Sequence, residues 1–120
     1  MKKTKIFLSA LVALSILAII TLSVCADPEH SVKYELTGPA NTIAKTIRYT
    51  NESGKEDELT NINIPWSKTI TVKGKIVGVG FIAMGLSGNG TYTAKIYVNG
   101  TQQAANTSTT SNAAVSYTIQ

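Results

Sequence analysis

A single cysteine, Cys25, occurs in the 120 residues, which excludes an internal disulfide. A single histidine, His30, leaves no second imidazole for a zinc set and no base placed beside the many serines. No aspartate or glutamate follows Glu58, so the second half of the chain supplies no carboxylate for acid–base work. Helical periodicity is missing after the first 26 residues. An excess of charge is missing too, once the N-terminus is set aside. Of the 11 basic residues, Lys2, Lys3 and Lys5 precede a long apolar run. From Asp27 onward eight bases face seven acids, giving +1 rather than +4. The basic pI therefore belongs to the N-terminal segment, and nothing points to nucleic acid.

What is present begins with that segment. Met1–Lys5 is a positive n-region, and the 19 residues Ile6–Val24 are apolar apart from Ser9, Ser15, Thr21 and Ser23. A bilayer core needs about 20 such residues, so the run suits a signal peptide or an anchoring hydrophobic helix. Three fates stand open. Val24-Cys25-Ala26 offers small side chains to a signal peptidase, with release at Asp27. Leu22-Ser23-Val24-Cys25 resembles a lipobox with Cys25 lipidated, although Val24 is bulkier than the usual residue there. The third fate is an uncleaved anchor. Each places the rest of the chain outside the cytoplasm. Residues 1–26 are thus the leader and 27–120 one extracytoplasmic domain, since 94 residues suit one small core and not two.

The mature part has a period of two. Val32, Tyr34 and Leu36 alternate with polar neighbours until Gly38-Pro39, and Ile43, Ile47 and Tyr49 share a parity with Lys45 intruding. Asn51–Gly54 is a turn by composition. Leu59, Ile62 and Ile64 follow less regularly, and Pro65 leads into an extended Trp66–Val72. Ile76–Ala83 is apolar on both parities, as a central strand covered on both sides would be. Ser87–Gly90 is another turn, and Tyr92, Ala94, Ile96 and Val98 face one way up to Asn99-Gly100, the strongest turn signal in the chain. Asn106–Asn112 is expected as an exposed loop, and alternation resumes through Ala113, Val115, Tyr117 and Ile119. Seven or eight short strands at roughly ten-residue spacing predict an all-β, single antiparallel β-sandwich of immunoglobulin-like type.

The chemistry on offer is thin, and no enzyme class, cofactor or metal site is expected. Glu56-Asp57-Glu58 has no Ca²⁺-loop spacing, and alternation would send adjacent acids to opposite faces, so a charged hairpin tip is expected. His30 is expected as a linker residue. Gly78-Val79-Gly80 with Gly85 lacks dinucleotide-loop spacing and marks instead a bulge or a close backbone approach. Residues 27–58 carry net −3 and residues 59–120 net +4, which reads as a solvated surface before it reads as a lysine face. Trp66, the only tryptophan, is either a core anchor or a rim aromatic; its parity with Ile70 and Val72 favours the core. Lys68 shares that parity and places the strand at an edge. Trp66 and Lys68 are the candidate partner contacts.

Four segments in order, Val32–Gly38, Ile47–Gly54, Ile64–Thr69 and Thr93–Gly100, resemble the MmpS family over most of residues 31–119. The resemblance implies an N-terminal membrane segment followed by a small extracytoplasmic β domain. It also implies a role as accessory subunit of an RND-type, MmpL-like transporter that exports lipids or siderophores. Family members often carry two late cysteines; the aligned positions here are Ala94 and Tyr117, a small residue that could face a large one in place of the bridge. The family has no active-site residues to carry over. The rival expectation is a free-standing secreted or surface lipoprotein that binds a ligand without a transporter, and a third is a structural envelope protein associating through a sheet edge.

Overall fold

The computed structural model describes residues 27–120. The leader, with the expected hydrophobic helix and Cys25, lies outside the described residues. Eight strands succeed one another: β1 (Glu29–Thr37), β2 (Ile43–Thr50), β3 (Glu56–Asn63), β4 (Trp66–Lys73), β5 (Val77–Leu86), β6 (Tyr92–Val98), β7 (Thr101–Ser108) and β8 (Ala113–Ile119). They form two antiparallel four-stranded sheets, ordered β4-β1-β6-β7 and β3-β2-β5-β8. Alternating side chains from both inner faces close one core, in which Val32, Tyr34, Leu36, Ile47, Tyr92 and Ile96 are wholly buried. The domain is an all-β sandwich, as the period-two pattern required.

Two hairpins stay within a sheet. Asn99 and Gly100 take φ of 51° and 84°, the left-handed pair that a two-residue turn between β6 and β7 needs. Between β2 and β3, the Asn51 side-chain oxygen accepts from the amides of Ser53 (3.0 Å) and Lys55 (3.1 Å). The acids expected at this tip lie one step further on. Glu56, Asp57 and Glu58 open β3 itself, where Arg48 pairs with Glu58 at 3.1 Å.

The parity expected for β2 holds only in part. Ile47 and Tyr49 are buried, but Ile43 is 43% exposed and Ala44 takes its place inside. The reason is a step shared by three adjacent strands. Buried or half-buried residues are three apart, not two, at Ala44 and Ile47, at Leu59 and Ile62, and at Ala83 and Leu86. The register pairs Ala44 with both Ile62 and Leu86, and Ile47 with both Leu59 and Ala83. Between these levels Asn61 (φ 54°) and Gly85 (φ 67°) leave extended geometry, so each chain changes face at the same height.

Three further expectations are corrected. Strand β5 is central, but only Val79, Phe81, Ala83 and Leu86 are buried; Gly78, Gly80, Ile82 and Met84 face outward, and Ile76, before the strand, is 76% exposed. The stretch from Asn106 is not a loop at its start, because β7 runs on to Ser108; an edge strand pairing on one side needs no apolar stripe to be held. His30 is not linker but part of β1, with Nε2 at 3.0 Å from the Gly74 carbonyl.

Register also bears on Ala94 and Tyr117. Asn106, the partner of Ala94, donates to the Ala114 carbonyl at 2.9 Å. Ala94 therefore sits level with the start of β8, while Tyr117 lies three residues, about 10 Å, further along. The small-against-large exchange finds no support in that register.

Candidate functional site

Trp66 opens β4, one of the two outer strands of the first sheet, and its half-buried ring turns inward. It meets Phe81 edge-on, with centroids 5.3 Å apart at 66°, and Tyr49 at 6.0 Å. Tyr34 completes the cluster, 5.6 Å from Phe81 and 6.0 Å from Tyr49. Much of the tryptophan face is thus spent on the core.

Two residues along, Lys68 shares this parity but reaches past the edge of the core and is exposed. It borders a cleft of about 370 Å³ with Tyr49, Asn51, Glu52, Asp57 and Ile70. Within the cleft Asp57 accepts from the Tyr49 hydroxyl at 3.3 Å and from the Asn51 amide at 3.0 Å. Burial first, and then the Asp57 charge, push the Tyr49 phenol above its ordinary range. Trp66 and Lys68 therefore lie on one edge without forming one surface: the ring packs inward, while Lys68 is exposed and borders the cleft that Glu52 and Asp57 also line. The arrangement can hold a cation or an amide but sets no nucleophile beside a base. Among the described residues no group of three His, Cys, Asp or Glu side chains could gather a metal ion.

The opposite side of the sandwich is built differently. Strands β7 and β8 are the outer strands of their sheets, and they adjoin across the open side through the Asn106–Ala114 hydrogen bond. Neither carries a charged residue, and none occurs from Ile96 to Gln120. The edges across the molecule are guarded: β3 by Glu56, Asp57 and Glu58, and β4 by Lys68 and Lys73. Beside the unguarded edges, the outer face of the second sheet forms a groove of about 510 Å³. Gly80, Ile82 and Ser116 make its floor, Ala104–Asn106 one wall, and Arg48 with Glu56 the other. A Cβ on Gly80 would meet the Val115 carbonyl at 2.9 Å, so the floor stays low only with glycine there.

This second surface was not visible in the sequence as a site. Its signal was the uncharged run after Lys95, which carries no meaning until the fold sets β7 and β8 side by side. Among known proteins, the family described as Mycobacterium membrane protein matches residues 10–120. No curated protein matches the chain.

Proposed function

The chain belongs to the Mycobacterium membrane protein family, and on that premise we propose that it is a non-enzymatic accessory subunit of an RND-type, MmpL-like envelope transporter exporting lipids or siderophores. The N-terminal segment, or a lipid on Cys25, holds the sandwich at the extracytoplasmic face, and the β7–β8 side receives the transporter. The observation that carries this reading is the asymmetry of the four outer strands. Acids and lysines on β3 and β4 discourage another chain from pairing there. The uncharged β7 leaves one row of backbone donors and acceptors open, which an extended segment of a partner can complete as a ninth strand.

A photo-crosslinking residue at Gln103, in the full chain in its native membrane, tests this. The expected adduct is an RND-type transporter subunit identified by mass spectrometry, and Ala105→Lys on the same edge weakens it several-fold. Adducts confined to lipid, to a second copy or to unrelated envelope proteins overturn the reading. The mass of the mature N-terminus separates lipidated Cys25, free Asp27 and intact Met1.

A further inference from the structure

The end of the sandwich from which β1 emerges has a feature that the transporter reading does not use. The β4–β5 connection, Gly74-Lys75-Ile76, is pinned to the first described residues of the chain. The Gly74 amide donates to the Pro28 carbonyl at 3.0 Å, and His30 Nε2 lies 3.0 Å from the Gly74 carbonyl. Beside them Lys73 pairs with Glu29 at 3.4 Å. Ile76 comes next at 76% exposure, the more exposed of two large apolar side chains left in solvent among the described residues. The other, Ile43, is 43% exposed and lies at the far end of the domain, where the Ile43 carbonyl accepts from the Ser87 amide. The connection also reaches further than the β6–β7 turn. The β6–β7 turn stops level with Ser31, where Asn99 bonds, whereas Gly74 is level with Pro28.

Chain length says what this end faces. Five residue steps separate Val24, the last of the apolar run, from Glu29. At 3.3–3.6 Å each they span at most about 18 Å. A headgroup layer is about 5–8 Å thick on each side of the hydrocarbon. An apolar run held in a bilayer therefore keeps the β4–β5 connection close to the headgroups of that same bilayer.

We propose that Lys75 and Ile76 form a membrane-docking tip, with the lysine on phospholipid phosphate and the isoleucine entering the headgroup–acyl boundary. Lys75 has no ion pair among the described residues, and its long stem lets the ammonium stay at phosphate level while Ile76 enters. Asp27 and Glu29 lie at the same end, as does the β2–β3 turn with Glu52 and Lys55, so this end carries no net positive charge. Its occupant is a phospholipid surface as such, and no anionic lipid is required. The docked tip fixes the tilt of the sandwich on the membrane and with it the direction in which β7 and β8 point. This rests on the proposed membrane attachment and not on the transporter.

The test uses the full chain in phosphatidylcholine vesicles containing brominated acyl chains, which quench nearby indoles. Ile76→Trp is compared with Ile43→Trp, each over the Trp66 background of the unsubstituted protein. The expected result is at least about twofold stronger quenching by brominated lipid at position 76, and weaker quenching there by aqueous acrylamide. Adding Lys75→Glu to Ile76→Trp lowers the lipid quenching. Equal quenching at 76 and 43, in protein that still sediments with the vesicles, overturns the docking tip and leaves the anchor standing. Protein that washes off the vesicles overturns the attachment itself.

Discussion

The Tyr34 hydroxyl donates a 2.8 Å hydrogen bond to the Thr50 carbonyl, so a residue of the first sheet is fastened to a strand of the second straight through the core. Tyr34 is wholly buried, and its ring is wedged against Tyr49 and Phe81. Burial outweighs the opposing pull of the Gly80 backbone and the Thr50 side chain, and the pKa is pushed up to about 12 from 10.0.

That shift predicts alkaline sensitivity. Below pH 10 the phenol is protonated in both folded and unfolded chains, and its contribution to stability is complete. Above pH 10 the unfolded chain ionises first, so stability falls until about pH 12, by about 2–3 kcal/mol in total. The raised phenol of Tyr49 adds in the same direction. Urea midpoints measured from pH 8 to 12 check this; a flat profile contradicts it.

Tyr34→Phe separates the hydroxyl from the ring. Packing survives, the bond to Thr50 is lost, and the expected cost at neutral pH is about 1 kcal/mol. The alkaline fall should shrink in this variant, so the two midpoint curves converge and then cross as pH rises.

Ring volume and surface charge should separate cleanly. Phe81→Ala removes the side chain that Tyr34 and Trp66 both touch, at an expected cost of about 3–5 kcal/mol. For a domain of this size that lowers the melting temperature by more than about 10 °C. Arg48→Ala breaks a pair whose partners are both half exposed, and the expected change is under about 1 kcal/mol. Calorimetry on both variants, with Trp66 emission reporting the loosened cluster, decides whether the ranking holds.

Gly85→Val addresses the shared step in the second sheet. The new Cβ would lie 2.6 Å from the Lys45 Cβ at a backbone φ of 67°, which side chains with branched Cβ scarcely adopt. A loss of about 2–3 kcal/mol is expected, read as a lower urea midpoint. Gly54→Val, where a Cβ meets nothing but φ is 80°, should cost less.

How far the fold could be read from sequence depended on whether the signal was local. Strands β1, β6 and β8 alternate cleanly, and Asn99-Gly100 requires left-handed angles, so these elements were legible residue by residue. The change of face at Lys45 was not, because its cause sits on other strands, at Asn61 and Gly85, which meet it only after pairing. Strand β7 was half missed for a related reason. Thr101–Ser108 has no apolar stripe, and only its bonds to β6 make it a strand. For the candidate surfaces, parity placed the Trp66 ring in the core and Lys68 at an edge strand. The β7–β8 groove draws on residues up to 68 positions apart, from Arg48 to Ser116, and no pattern in the chain brings those together.

The step shared by β2, β3 and β5 also bears on how such a domain can change over generations. A lone deletion or insertion in any of the three strands would turn its inner residues out on one side of the step while its neighbours kept theirs. Length changes there must arrive in concert or not at all, whereas the turns at either end can grow or shrink one residue at a time. Diversity among related chains should therefore gather at the turns, and the middle of the second sheet should keep its residue count.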